Sequence, residues 1–65
     1  MQNIQIYVYK NFIGREKSLA VNWDRQKGNR YFCLLRDLET SELCGTVYRT
    51  KEEIINFLAQ YGVKI

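Results

Sequence analysis

The 65-residue sequence has no histidine and no proline, and only two cysteines, one tryptophan and four glycines. Without histidine there is no Ser–His or Cys–His nucleophile pair. No glycine-rich elbow surrounds Ser18 or Ser41. No G-x-x-x-x-G-K-[ST] cradle for phosphate is present either. A general base with an oriented partner is missing, so an enzyme is not expected. Cys33 and Cys44 cannot complete a four-ligand zinc site within one chain. No metal, no other cofactor and no small-molecule substrate are therefore expected.

No apolar run approaches the roughly 20 residues of a membrane span, so no membrane contact is expected. The opening Met1-Gln-Asn-Ile lacks a basic stretch followed by an apolar one, so no secretory signal is expected and a cytoplasmic location is. In that compartment Cys33 and Cys44 are expected to be reduced core thiols. A bridge stays open as an alternative if the two face each other across a hairpin.

A hydrophobic fraction of 46% with 14% aromatic residues argues against disorder. Residues 1–65 are read as one domain. A chain this short buries only about 60% of the surface its unfolded form exposes, so the core is thin and a partner subunit could add to its stability.

The segment IQIYVYK alternates: Ile4, Ile6 and Val8 share one face, and Gln5, Tyr7 and Tyr9 the other. Residues 11–17, with Gly14 as turn residue, read as a loop. SLAVNWD alternates again, with Leu19, Val21 and Trp23 on its apolar side, and RQKGN reads as a turn around Gly28. RYFCLLRDL is apolar on both faces in its middle, the mark of a central strand covered twice. ETSE turns the chain into a fourth strand, LCGTVYR.

The helix signals follow. Thr50 and Glu53 form a capping box, and Glu52 and Glu53 suit the positive end of the helix dipole. Ile54, Phe57, Leu58 and Tyr61 line one face. Gly62 is a left-handed stop, with Val63 placed to contact Leu58 as in a Schellman ending. The helix is expected from Lys51 to Tyr61. The expected fold is α+β, an antiparallel four-stranded β-meander with one C-terminal helix packed on one face. The candidate partners of that helix are Ile4, Ile6, Val8, Leu19, Val21, Trp23, Cys33 or Phe32, and Cys44.

Charge is uneven. Residues 1–36 carry seven cations against two anions and residues 37–65 three against five, within a total of +3. In a meander the turn after strand two and the end of strand four share one end of the sheet. That end should gather Arg25, Lys27, Arg30, Arg49 and Lys51 with the amino-terminal amine and the helix N-terminus, a setting that suits phosphate. On the face away from the helix, Phe32 and Leu34 are expected beside Tyr7 and Tyr9, an aromatic and apolar surface for bases or for a protein. The opposite end mixes Arg15 and Lys17 with Glu39 and Glu42 and reads as a solvated rim.

From Gly28 to Tyr61, with LLRD closing one strand, LCGTV forming the next and RTKEEIINFLAQYG as the helix, the chain resembles two families. These are the AP2-type plant factors and the arm-binding amino-terminal domains of phage integrases, each a three-stranded sheet plus helix. The resemblance implies a sheet face laid into DNA, with Arg36 at a contact position and Arg30 at a basic one. Leu43 stands where AP2 domains carry a groove-facing tryptophan, and Phe32 and Leu34 stand on a face those families keep polar. The order of four strands then a helix also resembles small single-strand-binding transcriptional coactivators, which dimerise.

The first functional expectation is a small nucleic-acid-binding accessory or regulatory protein of phage or mobile-element type. It would act through Arg25, Lys27, Arg30, Arg36, Arg49 and Lys51, with Tyr7, Tyr9 and Phe32 adding stacking. The alternative is a protein-binding modulator or homodimer, without nucleic acid, that uses Tyr7, Tyr9, Phe32 and Leu34.

Overall fold

The computed structural model describes residues 3–65. Over these residues the chain forms β1 (Ile4–Lys10), β2 (Glu16–Lys27), β3 (Arg30–Asp37), β4 (Leu43–Thr50) and α1 (Lys51–Ala59). The strands pair antiparallel in the order β1-β2-β3-β4. This is the expected α+β meander, with α1 against one face.

The turns explain the order. Asn11 organises the first hairpin: its Oδ1 accepts from the amides of Ile13 (3.1 Å) and Arg15 (2.9 Å), and Gly14 supplies a φ of 79°. This leaves Phe12 and Ile13 exposed at the tip. The second hairpin is tighter than the expected RQKGN turn. Lys27 pairs with Arg30, so only Gly28 and Asn29 turn the chain. Gly28 has φ 61°, the sign a II′ turn needs at its first position. β2 therefore runs on through Lys27, and a bulge between Asn22 and Gln26 absorbs its extra residues.

Asp37 closes the other end of the sheet. Its carboxylate accepts from the amides of Glu39 (2.8 Å) and Thr40 (3.2 Å) and from Lys17 Nζ (3.2 Å), and it pairs with Arg15 Nε. Only 6% of Asp37 is exposed. The Arg15 guanidinium holds its carboxyl far below the usual carboxylate range, assisted by those amides and by Lys17. This end is thus a tied knot around one buried carboxylate rather than the solvated rim expected. The signal for it was an Asp placed directly before a polar turn, where its side chain can bond amides two and three residues on.

The helix begins as its sequence predicts. Thr50 Oγ1 accepts from the Glu53 amide (3.2 Å), and Glu53 Oε1 accepts from the Thr50 amide (3.0 Å). It ends at Ala59, two residues before the expected Tyr61. Beyond it, Val63 N–H donates to the Leu58 carbonyl and Gly62 N–H to that of Ala59. These are the two bonds of a Schellman closure, with Gly62 at φ 77°.

The core lies between α1 and one sheet face. Tyr9, Leu19, Val21, Cys33, Ile54 and Leu58 are buried, and Tyr7, Trp23, Leu35, Val47, Phe57 and Val63 pack around them. Burying Ile54 and Leu58 contributes about 1.5–3 kcal/mol each. The expected partners Leu19, Val21, Trp23 and Cys33 are all present.

Strand β1 faces the other way from the expectation. Tyr9 sits under the helix, with its ring centroid 5.5 Å from Phe57 and 4.7 Å from Tyr61. Ile4, Ile6 and Val8 point away, at 49%, 62% and 50% exposed. The register is the reason. Tyr7 pairs with Leu19 and Ile6 with Ala20, and paired residues share a face. Because β2 buries Leu19 and Val21, β1 must bury its tyrosines. Tyrosine also suits this place because the core is thin: the ring fills it while the hydroxyl reaches outward. The expected core role for Cys44 fails too. Cys44 is exposed and free, whereas Cys33 is buried and free. Cys33 lies opposite Val47 rather than Cys44, so the bridge is not formed.

Candidate functional site: the helix-free sheet face

Strand registers arrange the uncovered face in three rows. Ile4, Asn22, Phe32 and Tyr48 form the first, Ile6, Ala20, Leu34 and Thr46 the second, and Val8, Ser18, Arg36 and Leu43 the third. The side chains on β2 are small or short, and those on β1 and β3 are bulky. The face is therefore apolar at its centre, with half-exposed aliphatics along β1.

Its charges are mostly of one sign. The same registers bring Lys10, Arg30 and Arg36 to this face, with Glu16 as the anion opposite Lys10. After the β2 bulge, Arg25 and Lys27 join them. The Arg25 guanidinium lies 4.1 Å from the centroid of the Phe32 ring, and Lys27 Nζ lies 4.8 Å from that of Tyr48. Both are cation–π distances. Arg25 Nε also donates to the Tyr48 hydroxyl at 3.1 Å. Phe32 and Tyr48 meet edge to face, with centroids 5.4 Å apart. Two cations and two aromatic rings thus form one cluster near the β2–β3 turn. Among the described residues, no carboxylate lies within salt-bridge distance of Lys10, Arg25, Lys27 or Arg36.

The six cations expected to act together are divided by the fold. Arg25, Lys27 and Arg30 gather at one end of the helix-free face, where Arg30 also approaches Glu53 at 4.0 Å. Arg36 is on the same face at the opposite end, donating to the Ser41 carbonyl at 2.7 Å. Arg49 belongs to the helix side, since it pairs with Tyr31 and lines the cleft beside α1. Lys51 is exposed in the first helical turn. The amino-terminal amine, expected at this end, lies outside the described residues. At the helix N-terminus, Thr50 Oγ1 already takes the Glu53 amide and the Glu53 carboxylate that of Thr50.

The expected aromatic and apolar surface is also revised. Phe32 and Leu34 are on the helix-free face and half-buried. Tyr7 and Tyr9 are not: Tyr7 is half-buried against the core, and Tyr9 is only 6% exposed. Burial, and then the neighbouring Tyr61, raises the Tyr9 hydroxyl above its usual pKa. The residues that take their place are Ile4, Ile6, Val8 and Tyr48. Tyr48 was missed because β4 reads as a short strand with no clear alternation, and only its pairing with Phe32 places it.

On the helix side, a gap remains between α1 and strands β2, β3 and β4. The resulting cleft of about 430 Å³ is lined by Leu19, Cys33, Leu35, Val47, Ile54 and Phe57, with Arg49, Glu53, Asn56 and Gln60 at its rim. Burial pushes the Cys33 thiol up. Among the described residues, no group of three or more acidic, cysteine or histidine side chains could hold a metal. No described helix is long and apolar enough to cross a membrane.

No protein-family model, curated protein or solved structure matches the chain.

Proposed function

We propose that this is a small nucleic-acid-binding accessory or regulatory protein, without catalytic activity, whose binding surface is the helix-free sheet face. One observation carries the reading. Five cations stand on that face, and two of them lie over Phe32 and Tyr48. A ligand with spaced negative charges and flat apolar rings complements such a surface. Single-stranded nucleic acid has both, and aromatic platforms with flanking cations are a recurring way to bind it. The roles follow from position: Arg25, Lys27, Arg30 and Arg36 meet phosphates, and Phe32 and Tyr48 accept stacked bases once Arg25 and Lys27 swing to the backbone. The likeness to AP2 and integrase domains belongs to this reading through its architecture and Arg36. A cytoplasmic setting, where two free thiols persist, completes it.

The test is the anisotropy of a labelled single-stranded oligonucleotide across a salt series. Four phosphate contacts give a log–log slope of roughly −3, at about −0.7 per contact. Absence of binding at low salt, or binding indifferent to salt, would remove the proposal.

The exposure of Ile4, Ile6 and Val8 favours a second reading, a protein-docking face. An environment-sensitive apolar dye separates the two. A protein-docking face binds the dye in the free chain and loses it in an Ile6→Lys/Val8→Lys variant, while affinity for the oligonucleotide is absent in both.

A further inference from the structure

We infer that the chain forms a reversible homodimer by antiparallel pairing of β1 with β1 of a second copy. The inference rests on the sheet edge and not on the ligand proposed above. A meander has two edge strands, and each exposes a row of backbone donors and acceptors that templates another strand unless something guards it. The two edges here differ. β4 is guarded in three ways: a register irregularity near Leu43, a glycine at position 45, and Arg49, whose guanidinium donates to the Tyr48 carbonyl at 2.9 Å. β1 has none of these. From Ile4 to Tyr9 it carries no charge, glycine or bulge. Among the described residues, no backbone or side-chain hydrogen bond reaches the Ile4–Lys10 backbone except through β2.

A second copy fits because β1 is complementary to itself. Antiparallel pairing centred on Tyr7 sets Ile6 against Val8 of the partner and Lys10 against Ile4 of the partner, so like charges do not meet. The two-fold axis stands perpendicular to the sheet. Both helices then fall on one side, and the helix-free faces join into one surface of eight strands. Ile6, 62% exposed in the single chain, gains a cross-strand neighbour. Two seven-residue edges make an interface at or below the small end of specific complexes, roughly 1,200 Å². The dimer is therefore expected to be weak, with a Kd in the micromolar range or above.

Sedimentation of the 65-residue chain without nucleic acid, from about 10 μM to 1 mM, tests this. The expected result is a monomer–dimer equilibrium, with amide-exchange protection in Ile4–Tyr9 that rises with concentration. Ile6 and Thr46 occupy the same row at opposite edges. Ile6→Lys brings two added ammonium groups within diagonal reach across the two-fold and should weaken the dimer about tenfold or more. Thr46→Lys should leave it unchanged, with circular dichroism confirming that both variants fold. The proposal is overturned if the chain is monomeric throughout, if Ile6→Lys leaves the dimer intact, or if Thr46→Lys disrupts it equally. It is also overturned if protection of β1 does not change with concentration.

Discussion

The two faces of this sheet carry similar amounts of apolar side chain but meet opposite fates. On the helix side, Leu19, Val21, Cys33 and Tyr9 are almost wholly buried. On the other, Ile4, Ile6 and Val8 stay about half or more exposed. Hydrophobicity alone would bury the isoleucines and expose the tyrosines. The difference teaches that a strand inherits its buried face from the strand it pairs with. A one-residue slip of β1 against β2 would reverse it entirely.

The largest expected effect breaks the covered face. Leu58→Ala should cost about 2–5 kcal/mol, most of the stability available to so small a domain. Urea melts followed by circular dichroism should show little folded protein. If Leu58→Ala melts like the parent, the core is elsewhere.

The next probes two parts of the helix side by pH, the Asp37 end and the core. Asp37 is held low by Arg15 and neighbouring amides. Its contribution is present above its unfolded pKa, about 3.9, and is lost as pH falls toward the folded value. Tyr9 and Cys33 are held high by burial. Their contribution is present below their unfolded values and is lost as pH rises through the folded ones. Melts across pH should fall away at both extremes. Asp37→Asn should flatten the acid limb, and Tyr9→Phe should flatten part of the alkaline one. An acid limb unchanged in Asp37→Asn would show that the knot contributes nothing.

A smaller effect concerns the start of the helix. Thr50→Ala removes the cap that accepts the Glu53 amide and should cost about 1 kcal/mol, seen as a lower urea midpoint at constant slope. On the charged face, Arg25→Ala should reduce the salt slope of oligonucleotide binding by about 0.7 and leave stability nearly unchanged. Arg49→Ala, on the helix side, should leave the slope as it is. Equal losses from both would assign binding to the sheet end rather than to one face. Smallest of all, Ile6→Thr should shift stability by about 0.5 kcal/mol or less, since its side chain already meets water.

Much of the fold was legible in the residues. The capping box at Thr50 and Glu53 and the Gly62 stop with Val63 behind it depend on neighbours within a few positions and formed as read, as did the four strands in outline, although β2 runs longer than expected. The bulge in β2 was not legible, because nothing local marks Trp23–Arg25 as slack that β3 leaves unpaired. The candidate site was half legible. Arg25, Lys27, Arg30, Arg36, Phe32 and Leu34 do share a face. Arg49 left that face because it sits one residue out of phase with Tyr48, and Tyr7 and Tyr9 left it because β1 follows β2. The knot at Asp37 needed Arg15 and Lys17 from a hairpin twenty or more positions away.

The sequence by itself determined which segments are strand or helix, and that histidine-dependent chemistry is closed to this chain. These are matters of local conformational preference and of the atoms present. Only the tertiary structure decided which face of each strand meets the helix, which cations stand over aromatic rings, and which sheet edge is left unguarded. Those outcomes depend on register, and register is settled by contacts between strands rather than by preferences within them.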